Sequence, residues 1–541
     1  MAEQGAPVRR RGRPQRLPDD PHPISSGKVG CDQRIAWLVT AARVLGPDPD
    51  LARRDGFIAA LKKRDIPVDA PRVSRWESGM HTLPNQVIAT YEQVLRLPEG
   101  ALTAVADGLL RAVPDDQPAR RSPARDEPLL NHEIESLVDR AELGAATGAH
   151  WLRLGEELNR YDRVFLRERE WAQLTHKLVS ELGSAVGLAY VRRYEAAARF
   201  VRHPNARRHL VMAVGRFVTD PHTQVVAPVL NLLGEVADPA ASELTLRMLT
   251  ADSENKYLRR AASSVAAVKL ARGHFTPDAL PRLESHVVGA LRRGESLDGR
   301  LDSFDLAVRL PDESWEQISH ALRTRRAHQL VHEARQSDEM ITPARAASLV
   351  ADLAPAVQAS TPTHQAQEPD MMLRRLLREA MFHSHKPRRH HAALFIAASP
   401  YAPAAARHLL EVAADGNDLL AARAWTVLMR IGDGGRREEV IGLATDDKRP
   451  SVRARALVNV GLGGALSPDQ CGAVLERFDS SRSLERHATL FAVGMAGAPE
   501  LAELAAAEDP EVKYGATWWL RQGSAIQDED VLSRRTAGPT T

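Results

Sequence analysis

DLLAARAWTVLMRIG (Asp418–Gly432), PSVRARALVNVGLG (Pro450–Gly463), RSLERHATLFAVGM (Arg482–Met495) and PEVKYGATWWL (Pro510–Leu520) follow one pattern. Each comes after a turn, sets a basic residue ahead of a small one, and continues as an apolar stripe at helical spacing. Ala392, Ala424, Ala456 and Ala488 stand 32 residues apart, and Ala516 follows after 28. Looser copies surround Ala227 in DPHTQVVAPVL and Ala261 in KYLRRAASSVAAVKL, which are 34 apart. A period near 30 with two helices per unit predicts stacked helical hairpins. No single hairpin buries its apolar face alone, so the units must stack. The small residue lets neighbouring helices approach closely.

The D-P-x-V-x-x-x-A pattern resembles HEAT repeats of a short, HEAT-like kind. The resemblance is clear from about 385 to 522 and looser from 200 to 272; no register is assigned between 273 and 384. It implies an α-solenoid with an extended surface for a protein or other effector. The expected fold is all-α: an N-terminal five-helix helix-turn-helix domain followed by an α-solenoid of HEAT-like hairpins.

Composition agrees with helices. The chain has 541 residues, 43% of them hydrophobic and only 5% aromatic, with Ala and Leu plentiful. That length exceeds one ordinary core. The formal net charge is +2, so any contact with nucleic acid must come from a local basic patch. Cys31 and Cys471 are the only cysteines, with no metal-ligand spacing around either. A disulfide framework and a structural zinc are not expected, and the location predicted is a reducing cytoplasm, beside the nucleoid. No apolar run approaches the roughly 20 residues of a membrane span.

Turn signals and charge divide the chain. Residues 1–30 read as a disordered basic arm, 31–113 as a DNA-binding helical block, and 114–128, with four prolines, as a linker. Residues 129–354 form a first helical repeat region, 355–369 a break, 370–523 a second repeat region, and 524–541 a polar tail.

The N-terminal block carries the most specific chemistry. Arg34–Gly46 and Gly56–Ile66 are amphipathic helices. Pro67–Asp69 is a turn in which Asp69 caps a third short helix, Pro71–Gly79, with Pro71 in its first turn; two further helices follow. The run VSRWESGMHTLPNQVIATYEQVLRLPEGAL resembles the Xre/Cro-type helix-turn-helix family over about 80 residues, apart from a long connection, GPDPDLARRD, between the first two helices. That resemblance implies a recognition helix whose Arg72, Ser74 and Arg75 face double-stranded DNA, Arg being suited to guanine or phosphate. Trp76 and Val73 read as core. Glu77 reads as a base acceptor or a structural carboxylate, and Lys62 and Lys63 as phosphate contacts or a solvated face. In the arm, Arg11-Gly12-Arg13-Pro14 matches the core of an AT-hook. Arg11 and Arg13 are suited to a narrow minor groove, or to phosphate at large.

Other clusters have competing readings. His383, His385, His390 and His391 read as a metal site, an anion patch or a solvated repeat turn; the absence of nearby acids and thiols disfavours metal. The recurring Arg260, Arg389, Arg423, Arg455, Arg486 and Lys513 either line a concave basic surface or pair with turn carboxylates such as Asp447, Asp479 or Asp509. Trp518 and Trp519 read as capping core with one exposed edge. No P-loop, GxGxxG, GxSxG or HExxH occurs, and neither a catalytic residue nor a cofactor is assigned. The expectation is a sequence-specific transcriptional regulator, with dimerisation suited to two half-sites. Its alternatives are a HEAT-like scaffold or defence protein with accessory DNA binding, and a HEAT-like DNA-processing enzyme.

Overall fold

The repeat alanines fix the packing of the C-terminal half. In the computed structural model, which describes residues 16–527 except 65, 114–126, 251–255, 294–296, 323, 477 and 479–482, Ala392, Ala424, Ala456, Ala488 and Ala516 are each at most 3% exposed. They lie on the helices Lys386–Ala397, Asp418–Ile431, Pro450–Leu462, Ser483–Ala496 and Pro510–Gln522. Each of these inner helices packs on the next, and the outer helices Ala402–Asp415, Arg437–Asp446, Pro468–Leu475 and Leu501–Leu504 alternate with them as hairpin partners. The chain is therefore all-α with stacked HEAT-like helical pairs. Among the described residues the only β-pairing is two isolated bridges, Ala185 with Ile526 and Glu339 with His383.

Local chemistry starts and stops these helices. Asn417 accepts from the Leu420 amide, Ser467 forms a capping box with Gln470, and Asp509 accepts from the Glu511 and Val512 amides, so exposed helix donors are satisfied at each start. Gly494 lets the last two inner helices approach closely: a Cβ there would lie 2.2 Å from the Trp519 ring.

The array closes on itself. The last helix, Pro510–Gln522, reaches back to Glu168–Ser184 and Pro204–Thr219. Trp518 meets Phe217 edge-on at 6.0 Å, Arg521 pairs with Asp220 at 2.7 Å, and Gln522 donates to the Ser180 carbonyl at 2.7 Å. Beyond it, the Ile526 amide donates to the Ser184 carbonyl and its carbonyl accepts from Val186, both at 3.0 Å.

The N-terminal helices are welded to this array. Cys31–Val44 is buried along most of its length. From it, Trp37 donates to Asp370 at 2.9 Å, and Arg34 grips Glu379 with two bonds of 2.7 and 2.6 Å. Thr103–Ala112 packs on both Gly187–Arg202 and Lys386–Ala397, with Arg111 bridging Glu195 and Glu235. One helix of the N-terminal block thus touches both the first and the second repeat region.

Several expectations from sequence are corrected. Residues 16–30 are not a disordered arm: Leu17 and Asp20 are buried, because Asp20 takes the Gly30 amide and the Arg34 guanidinium at 3.1 and 2.8 Å. The break begins at Ser360, since the helix Pro343–Ala359 runs through Pro355. A proline costs that helix one hydrogen bond, and the burial of Ala354 and Val357 around it holds the last turn. The helix expected over Gly56–Ile66 runs Arg54–Lys62, and a four-residue helix, Pro49–Ala52, forms in the connection before it, so the N-terminal block has six helices among its described residues instead of five. The described start of the tail, 524–527, is pinned through the two backbone bonds of Ile526, and 528–541 lies outside the described residues. Trp518 and Trp519 are both buried, covered by Phe217 and Phe491. The looser copy at Ala227 is a four-residue helix running into a 3-10 turn. Arg11, Arg13, Asp479 and nearly all of the expected linker lie outside the described residues.

Candidate functional site

Two places gather the chemistry. The first is the Ala70–Glu77 helix, capped by Asp69, which accepts from the Arg72 amide at 2.8 Å. Val73, Trp76 and Glu77 are buried, whereas Arg72 and Arg75 are exposed and Ser74 half-buried. The Arg72 guanidinium lies 5.0 Å over the Trp76 ring. Lys62 and Lys63, at the end of the preceding helix, are exposed too. The five sequence-selected residues that fall within the described chain thus sit on two consecutive helices that touch. The connection spans residues 63–69, longer than the three to four residues of a compact helix-turn-helix. Glu77 is structural: its carboxylate takes Arg43 at 2.6 and 2.8 Å and the Tyr91 hydroxyl at 3.2 Å. Gly79 ends the helix at φ +71, where a Cβ would press on the Gln33 backbone at 2.8 Å.

The second place is a cavity of about 530 Å3 enclosed by the inner helices. Arg423 and Arg455 enter it from Asp418–Ile431 and Pro450–Leu462, each one residue before the repeat alanine. His487 holds the same register on the next inner helix, and Arg260 faces them from Lys256–Ala271. Lys386, Arg389 and Arg430 also line it, and the single carboxylate among its described lining residues is Asp433. Burial together with the nearby Arg260 pulls the Arg455 guanidinium down to about 10. Burial pulls the His487 imidazole down to about 4, so it is neutral at neutral pH. Tyr257 stacks on His487 with ring centroids 3.9 Å apart, and Arg430 lies 5.2 Å over the Tyr190 ring.

Of the recurring basic residues, four reach the cavity and two do not. Arg260, Arg389, Arg423 and Arg455 line it. Arg389 is largely spent on its own helix start, donating to the carbonyls of His383 and Ser384. Arg486 pairs with Asp509 at 2.9 Å, and Lys513 is exposed on the last helix. The sequence reading missed His487, although its place one before Ala488 repeats that of Arg423 and Arg455. It also missed Tyr257, which lies three residues before Arg260 and so on the same helix face.

The four-histidine cluster is not a solvated turn. His383 and His391 are buried and His385 and His390 half-buried. His383 accepts from the His385 amide at 3.0 Å, and burial, then Arg388, holds its imidazole well below the ordinary range. Among the described residues no three His, Cys, Asp or Glu side chains converge as metal ligands, and no helix is long and apolar enough to cross a membrane.

No known family model matches the chain, and no curated protein matches it. Solved helical-repeat structures do. Kap95p with RanGDP matches over 91% of this chain and 68% of its own, at 12% identity and TM-score 0.27. Kap121p bound to Nup53p matches over 93% of this chain at 12% identity and TM-score 0.25; the chain spans about half of it, 51%. A structure of tubulin recruitment by microtubule polymerases with TOG domain arrays matches over 71% of this chain and 100% of its own, at 13% identity and TM-score 0.23. These are likenesses of stacked helical pairs, with TM-scores too low for the chains to superpose as wholes.

Proposed function

We propose that the chain is a helical-repeat scaffold that holds an anionic effector in the cavity enclosed by its inner helices, with accessory DNA binding at its N-terminal edge. The observation that supports the first part is the register of Arg423 and Arg455, one repeat apart, in a cavity whose only described lining carboxylate is Asp433. Like charges drawn into one cavity repel one another, and an anion placed among them relieves that repulsion. Tripolyphosphate or a polyglutamate peptide is therefore expected to raise the melting temperature. A free ligand concentration of 100 times Kd stabilises by about 2.7 kcal/mol, or about 2 °C for a chain of this size. The double variant Arg423→Gln/Arg455→Met should show no such shift. Wild-type melting that ignores every polyanion overturns the reading.

The accessory contact is favoured by a different observation: Arg72, Ser74 and Arg75 point outward on a helix whose other face is core. In its finer form this makes the chain a transcriptional regulator reading double-stranded DNA, as a homodimer where two half-sites are used. Arg75→Ala is expected to cost about 1–3 kcal/mol of duplex affinity and to relax preference at one base position. Replacing Lys62 and Lys63 should flatten the slope of log affinity against log salt by about 0.9 for each phosphate that is no longer neutralised. Removing residues 1–15, which carry Arg11 and Arg13, should weaken all duplexes, and AT-rich ones more if those arginines enter the minor groove. Fluorescence anisotropy across a salt series reads all three; wild-type protein that does not bind duplex removes the DNA part and leaves the scaffold.

A further inference from the structure

We propose that the central cavity is a nucleotide site, with Arg260, Arg423 and Arg455 taking phosphates and the aromatic side chains beside them taking the base; this rests on the effector reading above. Size comes first. About 530 Å3 falls within the range of small-molecule sites and admits neither a duplex nor a folded domain.

Charge comes second. Arg423 and Arg455 stand on adjacent packed inner helices, whose axes in such contacts lie about 8–10 Å apart. Arg260 lines the same cavity from a third helix, Lys256–Ala271. Guanidinium groups arriving from three helices suit several phosphate oxygens spread over a polyphosphate or two separate phosphates, and their planar forks match that geometry. A ligand with a single carboxylate would engage only one of them.

The aromatic groups come third. Tyr257 and Arg260 are one turn apart on one helix, and His487 and Arg455 hold equivalent positions on two adjacent inner helices. The stacked Tyr257–His487 pair therefore sits beside the Arg260–Arg455 pair. His487 is uncharged at neutral pH, so it adds ring surface without adding charge. Trp425 and Phe491 extend the flat apolar lining, and Asn459, four residues after Arg455 on the same helix, brings an amide to the cavity. Rings for stacking next to guanidinium forks are what a phosphorylated base requires: stacking holds the base without reading it closely, and charge holds the tail. An inorganic anion has no use for the rings, and an acyl chain none for the third guanidinium.

Isothermal titration of the full chain with ATP, GTP, cyclic di-AMP, tripolyphosphate and adenosine tests this. At least one nucleotide should bind about 10-fold or more tighter than tripolyphosphate, with adenosine silent; whether it is a mononucleotide or the cyclic dinucleotide names the source of the phosphates. Arg455→Met should weaken that nucleotide by about 30-fold or more, the cost of truncating one member of a buried charged contact. Tyr257→Ala should weaken the nucleotide by about 10-fold and leave tripolyphosphate unchanged. Tripolyphosphate binding as tightly as every nucleotide overturns the nucleotide inference and leaves the anion-binding scaffold standing. Nucleotide binding that survives both Arg455→Met and Tyr257→Ala places the ligand elsewhere and overturns it as well. Silence from every probe, with no polyanion-induced melting shift, overturns both.

Discussion

Glu379→Ala is expected to destabilise the protein by about 3–5 kcal/mol, because it takes the shared carboxylate from three guanidinium groups and leaves Arg34 and Arg375 only Asp20. Glu379 is fully buried. It takes Arg34 through both oxygens, Arg375 at 3.0 Å and Arg388 at 3.2 Å. Burial alone would push its carboxyl up, but Arg34 and Arg388 hold it well below the ordinary carboxylate range. Arg34 belongs to the N-terminal block and Glu379 to the repeats, so this contact binds the two together across 345 residues. Glu379→Gln keeps the shape and one acceptor and should cost less. Urea unfolding gives the magnitude, and limited proteolysis should show segment 16–30 cut early in the alanine variant. An unchanged unfolding midpoint in Glu379→Ala would show that the cluster contributes nothing net.

Mild acid is expected to have the second large effect. Burial, then Arg111, brings the His391 imidazole down to about 3, and burial brings His487 to about 4. His383 and His390 are also held well below the ordinary range, by burial first and then by Arg388 and Arg430 respectively. In the unfolded chain these groups titrate near 6.5. Their folded values are lower, so below pH 6.5 the unfolded state binds more protons and stability falls as pH falls. The contribution is fully present above about 6.5 and drains away toward 4, at about 1.4 kcal/mol per pH unit for each histidine that stays neutral in the fold. Below about 4.5 the depressed carboxylates of Glu379, Glu235 and Asp305 add their own loss in the same direction. Urea midpoints measured from pH 8 to 5 should begin to drop near 6.5, and His391→Asn should make the drop shallower by about one proton. A flat profile between pH 7 and 5 contradicts the assignment.

The repeat was legible because it is written locally. An alanine every 32 residues followed by an apolar stripe is a one-dimensional signal, and Ala392 to Ala488 mark the buried inner face as that signal implies. The Asp69 cap and the outward Arg72 and Arg75 were readable for the same reason. What stayed hidden is long-range. Arg34 looks like the polar edge of an amphipathic helix, and only the arrival of Asp20 and Glu379 makes it an interior residue. Segment 16–30 has few apolar side chains and orders itself through the Asp20 carboxylate and a single buried leucine, which no periodicity announces. The cavity register is half visible in the sequence: Arg423 and Arg455 stand out as basic residues before the repeat alanines, but the third member is a histidine, and the neighbouring Arg486 takes its place in the pattern.

The return of the last helix to the first repeats has a mechanical meaning. An open stack of helical pairs lengthens under tension by small rotations at every junction, like a spring with no yield point. Here Ile526 is fastened to Ser184 and Val186, and Gln522 to Ser180, so the repeats between them form a hoop. Pulled from residues 185 and 526, the hoop loads that fastening together with the Trp518–Phe217 and Arg521–Asp220 contacts and stays stiff until they part. Only afterwards do the junctions share the strain, and the cavity walls can then move apart.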